Sequence, residues 1–194
     1  MAANSPGEGA AKEAAATVGE SAIIVPVQVP VAVNRLRDRM DPSAVQGVPA
    51  HVTLIYPFMS VDQLTDDVRR RLEQIVAAEA AFPFTLTSVR RWPNVVYIAP
   101  EPADPFRRLT VALAEAFPGY PPYEGVHEDV VPHLTIAQDV PEDYYAAAQH
   151  ALPGMLPIRD VAREAWLIGH TPDQPWHTLW RLPLGKNRSA DSGR

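Results

Sequence analysis

Residues 51–58 read HVTLIYPF and residues 133–140 read HLTIAQDV. Both stretches open with His, an apolar residue, Thr and a second apolar residue. Each follows a proline-bearing run, GVPA before His51 and VVP before His133. At average residue usage, one such tetrapeptide arises by chance in a chain of this length about once in a hundred sequences. Two of them make chance a poor explanation. Side chains alternate between the faces of a strand, so His51 and Thr53 share one face and Val52 and Leu54 the other. His133 and Thr135 pair in the same way against Leu134 and Ile136. Each motif therefore reads as a strand that sends two apolar residues into a core and presents an imidazole and a hydroxyl together.

The remaining composition narrows the chemistry. A chain of 194 residues suits one domain with a substantial core. There are no cysteines, which excludes disulfides, thiolate metal ligands and a thiol nucleophile. The first twenty residues lack the basic-then-apolar pattern of a secretory signal, and no apolar run is long enough for a membrane span. A cytoplasmic protein without membrane contact is expected, and a monomer. The net charge is −6, with no basic block beyond VRRRL and VRRW. Proteins that grip long nucleic acids through phosphates carry a basic face. A DNA duplex is thus not the expected partner, whereas a small nucleotide or an RNA terminus is.

Along the chain, residues 1–20 are Ala, Gly, Glu and Ser without apolar period and read as disordered. Residues 185–194 read as a flexible tail, which leaves one domain over 21–184. AIIVPVQV is strand-like. VDQLTDDVRRRLEQIVAAEAA has helical spacing, with Ser60 as a candidate N-cap. FPFTLTSVRRWPNVVYIAPEP reads as two strands joined across RWPN, and DPFRRLTVALAEAF as a helix begun by Asp104 before proline. PEDYYAAAQHAL is a shorter helix, and VAREAWLIGH and WHTLWRLPL are closing strands. Strand, His strand, helix and two strands, followed by helix, His strand, helix and two strands, looks like a diverged duplication. The class is α+β, with helices packed on antiparallel sheets.

If the halves are related by an approximate two-fold axis, the two His and two Thr line one groove. One neutral imidazole can take a proton while a protonated one gives a proton, both near neutral pH. The Thr hydroxyls can donate to non-bridging phosphate oxygens. Such a set suits phosphate-ester chemistry without metal or cofactor. The paired motif resembles the signature of the 2H phosphoesterase superfamily, which includes bacterial 2'-5' RNA ligase proteins and RNA cyclic phosphodiesterases. HVTLIYPF, VVYIAPEP, FPGYPPYEG and VPHLTIA occur in an order similar to one bacterial branch of that group. The resemblance implies a bilobal fold in which antiparallel sheets line a central cleft, with helices outside. It also implies metal-independent hydrolysis or formation of 2',3'-cyclic or 2'-5' phosphodiesters. By motif position His51 and His133 become the acid/base pair, and Thr53 and Thr135 the phosphate binders. A non-catalytic nucleotide-binding module, or an esterase acting on a non-RNA cyclic nucleotide or phosphorylated metabolite, fits the same residues.

Other candidates lie around the motifs. Arg90, Arg91 and Trp92 sit at the hairpin tip, and Tyr120 and Tyr123 in the loop before the second motif. Exposed aromatics beside Arg can stack a base and hold a phosphate. Tyr56 falls on the face opposite His51 and is expected in the core. His150, His170 and His177 lack motif context and read as structural or surface residues. HEDVVPH invites a metal reading through His127, Glu128, Asp129 and His133. Pro132 forbids a helix there and the spacing is wrong for a zinc pair, so no metal is expected.

Overall fold

The computed structural model describes residues 19–122 and 130–186. Two four-stranded antiparallel sheets share one core. The first sheet has the order β2-β1-β7-β8, built from β1 (Ser21–Pro26), β2 (His51–Ile55), β7 (Glu164–Thr171) and β8 (Gln174–Pro183). The second has the order β5-β4-β3-β6, from β3 (Phe82–Trp92), β4 (Val95–Glu101), β5 (Leu134–Gln138) and β6 (Ile158–Ala162). β2 and β5 are thus the edge strands of separate sheets. Residues of the two come within 8 Å, Cα to Cα.

The bilobal duplication is therefore present, with one refinement. The lobes are not the two halves of the chain, because the first sheet takes strands from both ends and the second takes the middle. Repetition survives in the β-α-β units. α1 (Val31–Met40) lies between β1 and β2 and packs on β5, while α4 (Asp104–Ala116) lies between β4 and β5 and packs on β2. Each unit covers the motif strand of the other. α3 (Asp66–Ala78) rests on β8, and α5 (Glu142–Ala151) on β4 and β5.

The core sits between the sheets and these helices. Ile23, Val25, Val52, Leu54, Leu86, Ile98, Phe106, Leu113, Leu134 and Ile136 belong to it, each at most 0 % exposed. Phe106 of α4 meets Phe82 and Phe84 of β3 edge-on at 5.0 and 5.1 Å. Burying each aliphatic side chain of the motifs contributes about 1.5–3 kcal/mol. Val52, Leu54, Leu134 and Ile136 thereby anchor their strands and fix which way His and Thr must point.

Several expectations need correction. α1 is absent from the strand-and-helix order read from the sequence, although Val33, Leu36 and Met40 form its buried stripe. Ser60 precedes only a 3-10 turn, Val61–Gln63, without a side-chain cap bond. Thr65 caps α3, its hydroxyl accepting from the Val68 amide at 3.4 Å. VAREAWLIGH is split, with β6 ending at Ala162 and β7 starting at Glu164. Tyr56 is not in the core. Leu54 and Ile55 are both buried, so a bulge turns Tyr56 outward, 40 % exposed, its hydroxyl donating to Glu20 at 2.9 Å. Backbone hydrogen bonds also reach residues just outside 21–184. The His170 amide donates to the Glu20 carbonyl and the Ala81 amide to that of Gly185. The remainder of both tails lies outside the described residues.

Candidate active site

Both motifs are built to the same plan in detail. HVTLI and HLTIA alternate half-buried, buried, half-buried, buried, buried. β1 pairs Ile24 with Thr53 and Ile23 with Ile55, leaving Leu54 as an extra residue. β4 pairs Tyr97 with Thr135 and Val96 with Ala137, leaving Ile136 as the extra residue. Each motif strand thus bulges at the fourth residue after its His is counted as the first. The bulge adds local twist, and His and Thr remain together on the side away from the helices.

The imidazoles are held alike. His51 Nδ1 lies 2.7 Å from the Pro49 carbonyl oxygen, and His133 Nδ1 2.8 Å from that of Val131. A carbonyl only accepts, so Nδ1 carries a proton in both rings and Nε2 is left for the cleft. These partners, two residues before each His, were not singled out in the sequence. The proline-bearing runs GVPA and VVP are the local signal for them.

Electrostatics separate the two rings. Each keeps part of its surface open, yet both stand in a cleft whose walls strip their hydration. His51 is lowered from 6.5 to about 4, first by this desolvation, with the Arg37 guanidinium and His133 adding to it. The Pro49 bond and Asp41 oppose the shift. His133 is also lowered by desolvation, partly offset by its bond to Val131. The charge of His133 acts on His51, so the two rings are within electrostatic reach of one another.

Arg37 is another residue that the sequence reading missed. It lies on the apolar stripe of α1, 2 % exposed, with Asp41 equally buried. Nη2 donates to Asp41 Oδ2 at 2.7 Å, and Nε donates to the Thr135 carbonyl at 3.2 Å. Asp41 Oδ1 in turn accepts from the Ser43 amide and hydroxyl, capping α2 (Pro42–Val45) on the way to His51. One guanidinium therefore ties the segment entering the first motif to the backbone of the second. The signal was an Arg on a core stripe with an Asp four residues on, just before a proline.

The other named residues divide. Trp92 folds back over Tyr97, ring centroids 4.1 Å apart, and stands edge-on to His133 at 4.8 Å. Tyr97, which the sequence reading passed over, also stands against His133, at 5.4 Å. Arg90 pairs with Tyr97 and shares its face, exposed to solvent. Arg91 is not brought there. Strand alternation turns it to the helix side, where both terminal nitrogens donate to Glu142 at 2.6 Å and its guanidinium covers Tyr145 at 4.7 Å. Tyr120 packs at 5.3 Å on the core residue Phe58, and its hydroxyl donates to Gln63. Tyr123, His127, Glu128 and Asp129 lie outside the described residues.

The family described as the 2'-5' RNA ligase superfamily matches residues 25–173, which include both motifs and both sheets. The chain belongs to that superfamily. Two relatives named as phosphoesterases come from Geobacillus. That of Geobacillus kaustophilus is 29 % identical over 167 residues, covering 84 % of this chain and 87 % of its own. That of Geobacillus strain WCH70 is 31 % identical over 160 residues, covering 78 % and 81 %. Among solved structures, TT0787 of Thermus thermophilus aligns with TM-score 0.54 at 18 % identity, over 87 % of this chain and 99 % of its own. Escherichia coli LigT complexed with 3'-AMP aligns with TM-score 0.53 at 16 % identity, over 87 % and 99 %. At that identity the two structures speak to the fold, which this 2'-5' RNA ligase superfamily member shares. No helix among the described residues is long and apolar enough to cross a membrane.

Proposed function

We propose that the protein is a phosphodiesterase that opens 2',3'-cyclic or 2'-5' phosphodiesters of nucleotides or RNA ends, with two histidines as acid and base. The observation that carries this reading is the matched pair of imidazoles, each with Nδ1–H on a carbonyl and Nε2 toward the cleft. His51, with Arg37 beside it, is the ring more strongly held neutral and serves as base. Its Nε2 takes a proton from water as the water oxygen bonds to phosphorus. His133 gives its Nε2 proton to the departing ribose oxygen as the P–O bond breaks. Thr53 and Thr135 donate to the non-bridging oxygens, and the product is a phosphomonoester. Trp92, stacked on Tyr97 beside His133, offers a face for the adjacent base, with Arg90 at its flank. The 3'-AMP on the LigT neighbour is a ligand of the same chemical class as such a product.

The deciding experiment is incubation with 2',3'-cyclic nucleotides, 2'-5' dinucleotides and RNA bearing a cyclic end, with the products identified. Turnover survives exhaustive chelation, because the two rings supply both proton transfers. Loss of activity that zinc or manganese restores counts against the mechanism. A protein that binds these ligands and converts none of them is a nucleotide-binding module instead.

The pH profile follows from the two depressed histidines. The base must be neutral and the acid protonated in the free enzyme, and kcat/KM reports those free-enzyme groups. It rises as pH climbs past about 4, where His51 loses its proton, and falls as His133 loses its own below the usual 6.5. The optimum is therefore acidic, below the near-neutral value the unperturbed side chains would give. A bound phosphodiester anion favours the protonated rings, so the kcat optimum lies higher than that of kcat/KM. Coinciding optima at or above neutrality would contradict the desolvated site. The same shift makes folding acid-sensitive: the unfolded chain binds protons first, so stability declines as pH falls from 6.5 toward about 4.

A further inference from the structure

The cleft face of the first sheet carries a second set of aromatic residues that the catalytic reading leaves unused. Thr53 pairs with Ile24, and Ile24 pairs in turn with Trp166, so the three lie in one row across β2, β1 and β7. Two strand spacings of about 4.8 Å put the Trp166 backbone about 10 Å from that of Thr53. Ala22, Ile24, Val48 and Ile168 form a small apolar cluster on this face, with Trp166 and Trp176 packed against it. Between that cluster and the Gly47–Pro49 segment lies a hollow of about 200 Å³, bordered by Trp166, Trp176, Ile168, Val48, Pro49 and Thr178. Pro49 is the residue whose carbonyl holds His51, so the hollow adjoins the catalytic ring. A larger hollow of about 360 Å³ lies beyond Trp176 against the β7–β8 hairpin and is bordered by neither motif.

The chemistry of the smaller hollow is specific. Pockets for whole drug-sized ligands run to about 300–1,000 Å³, so this one has room for a single flat ring system. Both indole N–H groups are already committed, Trp166 to Glu164 Oε1 at 2.7 Å and Trp176 to Gln46 Oε1 at 3.1 Å. The rings are thereby locked in place, and what they offer is π-face instead of a hydrogen-bond donor. The Arg181 guanidinium lies 4.8 Å over the Trp166 ring, which also lines the hollow. His177 and Thr178 also line the hollow and carry polar atoms for the edge of a heterocycle. Fixed aromatic faces keep the ordering cost of binding low.

We infer that this hollow binds a nucleobase, that of the second nucleoside of a diester whose phosphate lies between the two histidines. Trp92 and Tyr97 on the second sheet take the base on one side of the phosphate, and Trp166 and Trp176 on the first sheet take the base on the other. The preferred substrate is accordingly a dinucleoside phosphodiester or an RNA end, and a cyclic mononucleotide fills only half of the cleft. The inference rests on the phosphodiesterase reading for the position of the phosphate. Binding in the hollow does not require turnover.

The test uses the full chain, adenylyl-(2'→5')-adenosine and adenosine 2',3'-cyclic phosphate, with dissociation constants measured by calorimetry and KM alongside. Stacking on one aromatic is worth about 1–3 kcal/mol per base, which at 1.4 kcal/mol per tenfold is about 5- to 140-fold in affinity. The wild-type protein binds the dinucleotide more tightly than the cyclic mononucleotide. Trp166→Ala reduces that preference by this factor, and Trp166→Phe, which keeps a ring, reduces it less. Thr178→Trp, which fills the hollow without removing core packing, reduces it as Trp166→Ala does. Equal losses for both ligands, no loss in either variant, or a wild-type protein without the preference would overturn the inference. Binding with the expected variant pattern but no turnover of either ligand would leave the base pocket standing and remove the phosphodiesterase reading.

Discussion

Replacing His51 or His133 with alanine lowers turnover of a 2',3'-cyclic nucleotide by at least about a hundredfold, the lower range for a lost general acid or base. At 1.36 kcal/mol per tenfold, that is about 2.7 kcal/mol of transition-state stabilisation for one proton transfer. The fold survives both changes. Neither ring is in the core cluster, and each holds only one backbone carbonyl, which can turn to water in the cleft. The double variant loses little more than either single one, because the two rings act on the same bond-making and bond-breaking event. Steady-state rates on the three proteins, with circular dichroism spectra as a control, decide the matter. Near-normal turnover by either folded single variant rules out the two-histidine mechanism. Losses that multiply would show two independent contributions in place of one concerted proton relay.

How far this arrangement is legible before folding depends on which force sets each part. The motif strands are legible because their two-residue period is short and uninterrupted: Val52 and Leu54, or Leu134 and Ile136, can be buried only if His and Thr face the other way. The hairpin at Pro93 and Asn94 is legible for a similar local reason. α1 is not. Its stripe is only Val33, Leu36 and Met40, it opens on the β-branched residues Val31 and Val33, and Pro30 supplies no side-chain cap. Tertiary packing on β5 makes it a helix, and no local window contains that contact. Tyr56 is misread because a single bulge at Leu54 inverts the alternation after it. Arg91 and Trp92 are adjacent in sequence yet separated by the sheet, one paired with Glu142 of α5 and the other over Tyr97. Their division required knowing which face of β3 is covered. The exchange of α1 and α4 between the lobes, and the row from Thr53 to Trp166, are likewise long-range facts.

Arg37→Met destabilises the protein more than any single substitution on the cleft surface. Arg37 and Asp41 are both 2 % exposed, and removing one member of a buried pair leaves an uncompensated charge, at a cost of about 3–5 kcal/mol. For a chain of this size each kcal/mol lowers Tm by about 2–4 °C, so the expected loss is about 6–20 °C. Adding Asp41→Asn removes the stranded charge and retains a side chain that caps α2, so Arg37→Met/Asp41→Asn regains most of that stability. Activity behaves differently. The tether from Nε to the Thr135 carbonyl is gone in both variants, and kcat stays depressed in the double variant even where Tm has recovered. The cation that helps hold His51 neutral is also gone, so the acid limb of kcat/KM moves upward from about 4 toward the usual imidazole value. Removing Asp41's charge, which acts on His51 in the opposite direction, limits that movement in the double variant. A residue that only supported the fold would restore kcat together with Tm and leave the pH profile in place. Thermal melts and pH–rate profiles on the wild type, the single and the double variant separate the two roles, and full recovery of all three properties in the double variant would show that Arg37 only balances Asp41.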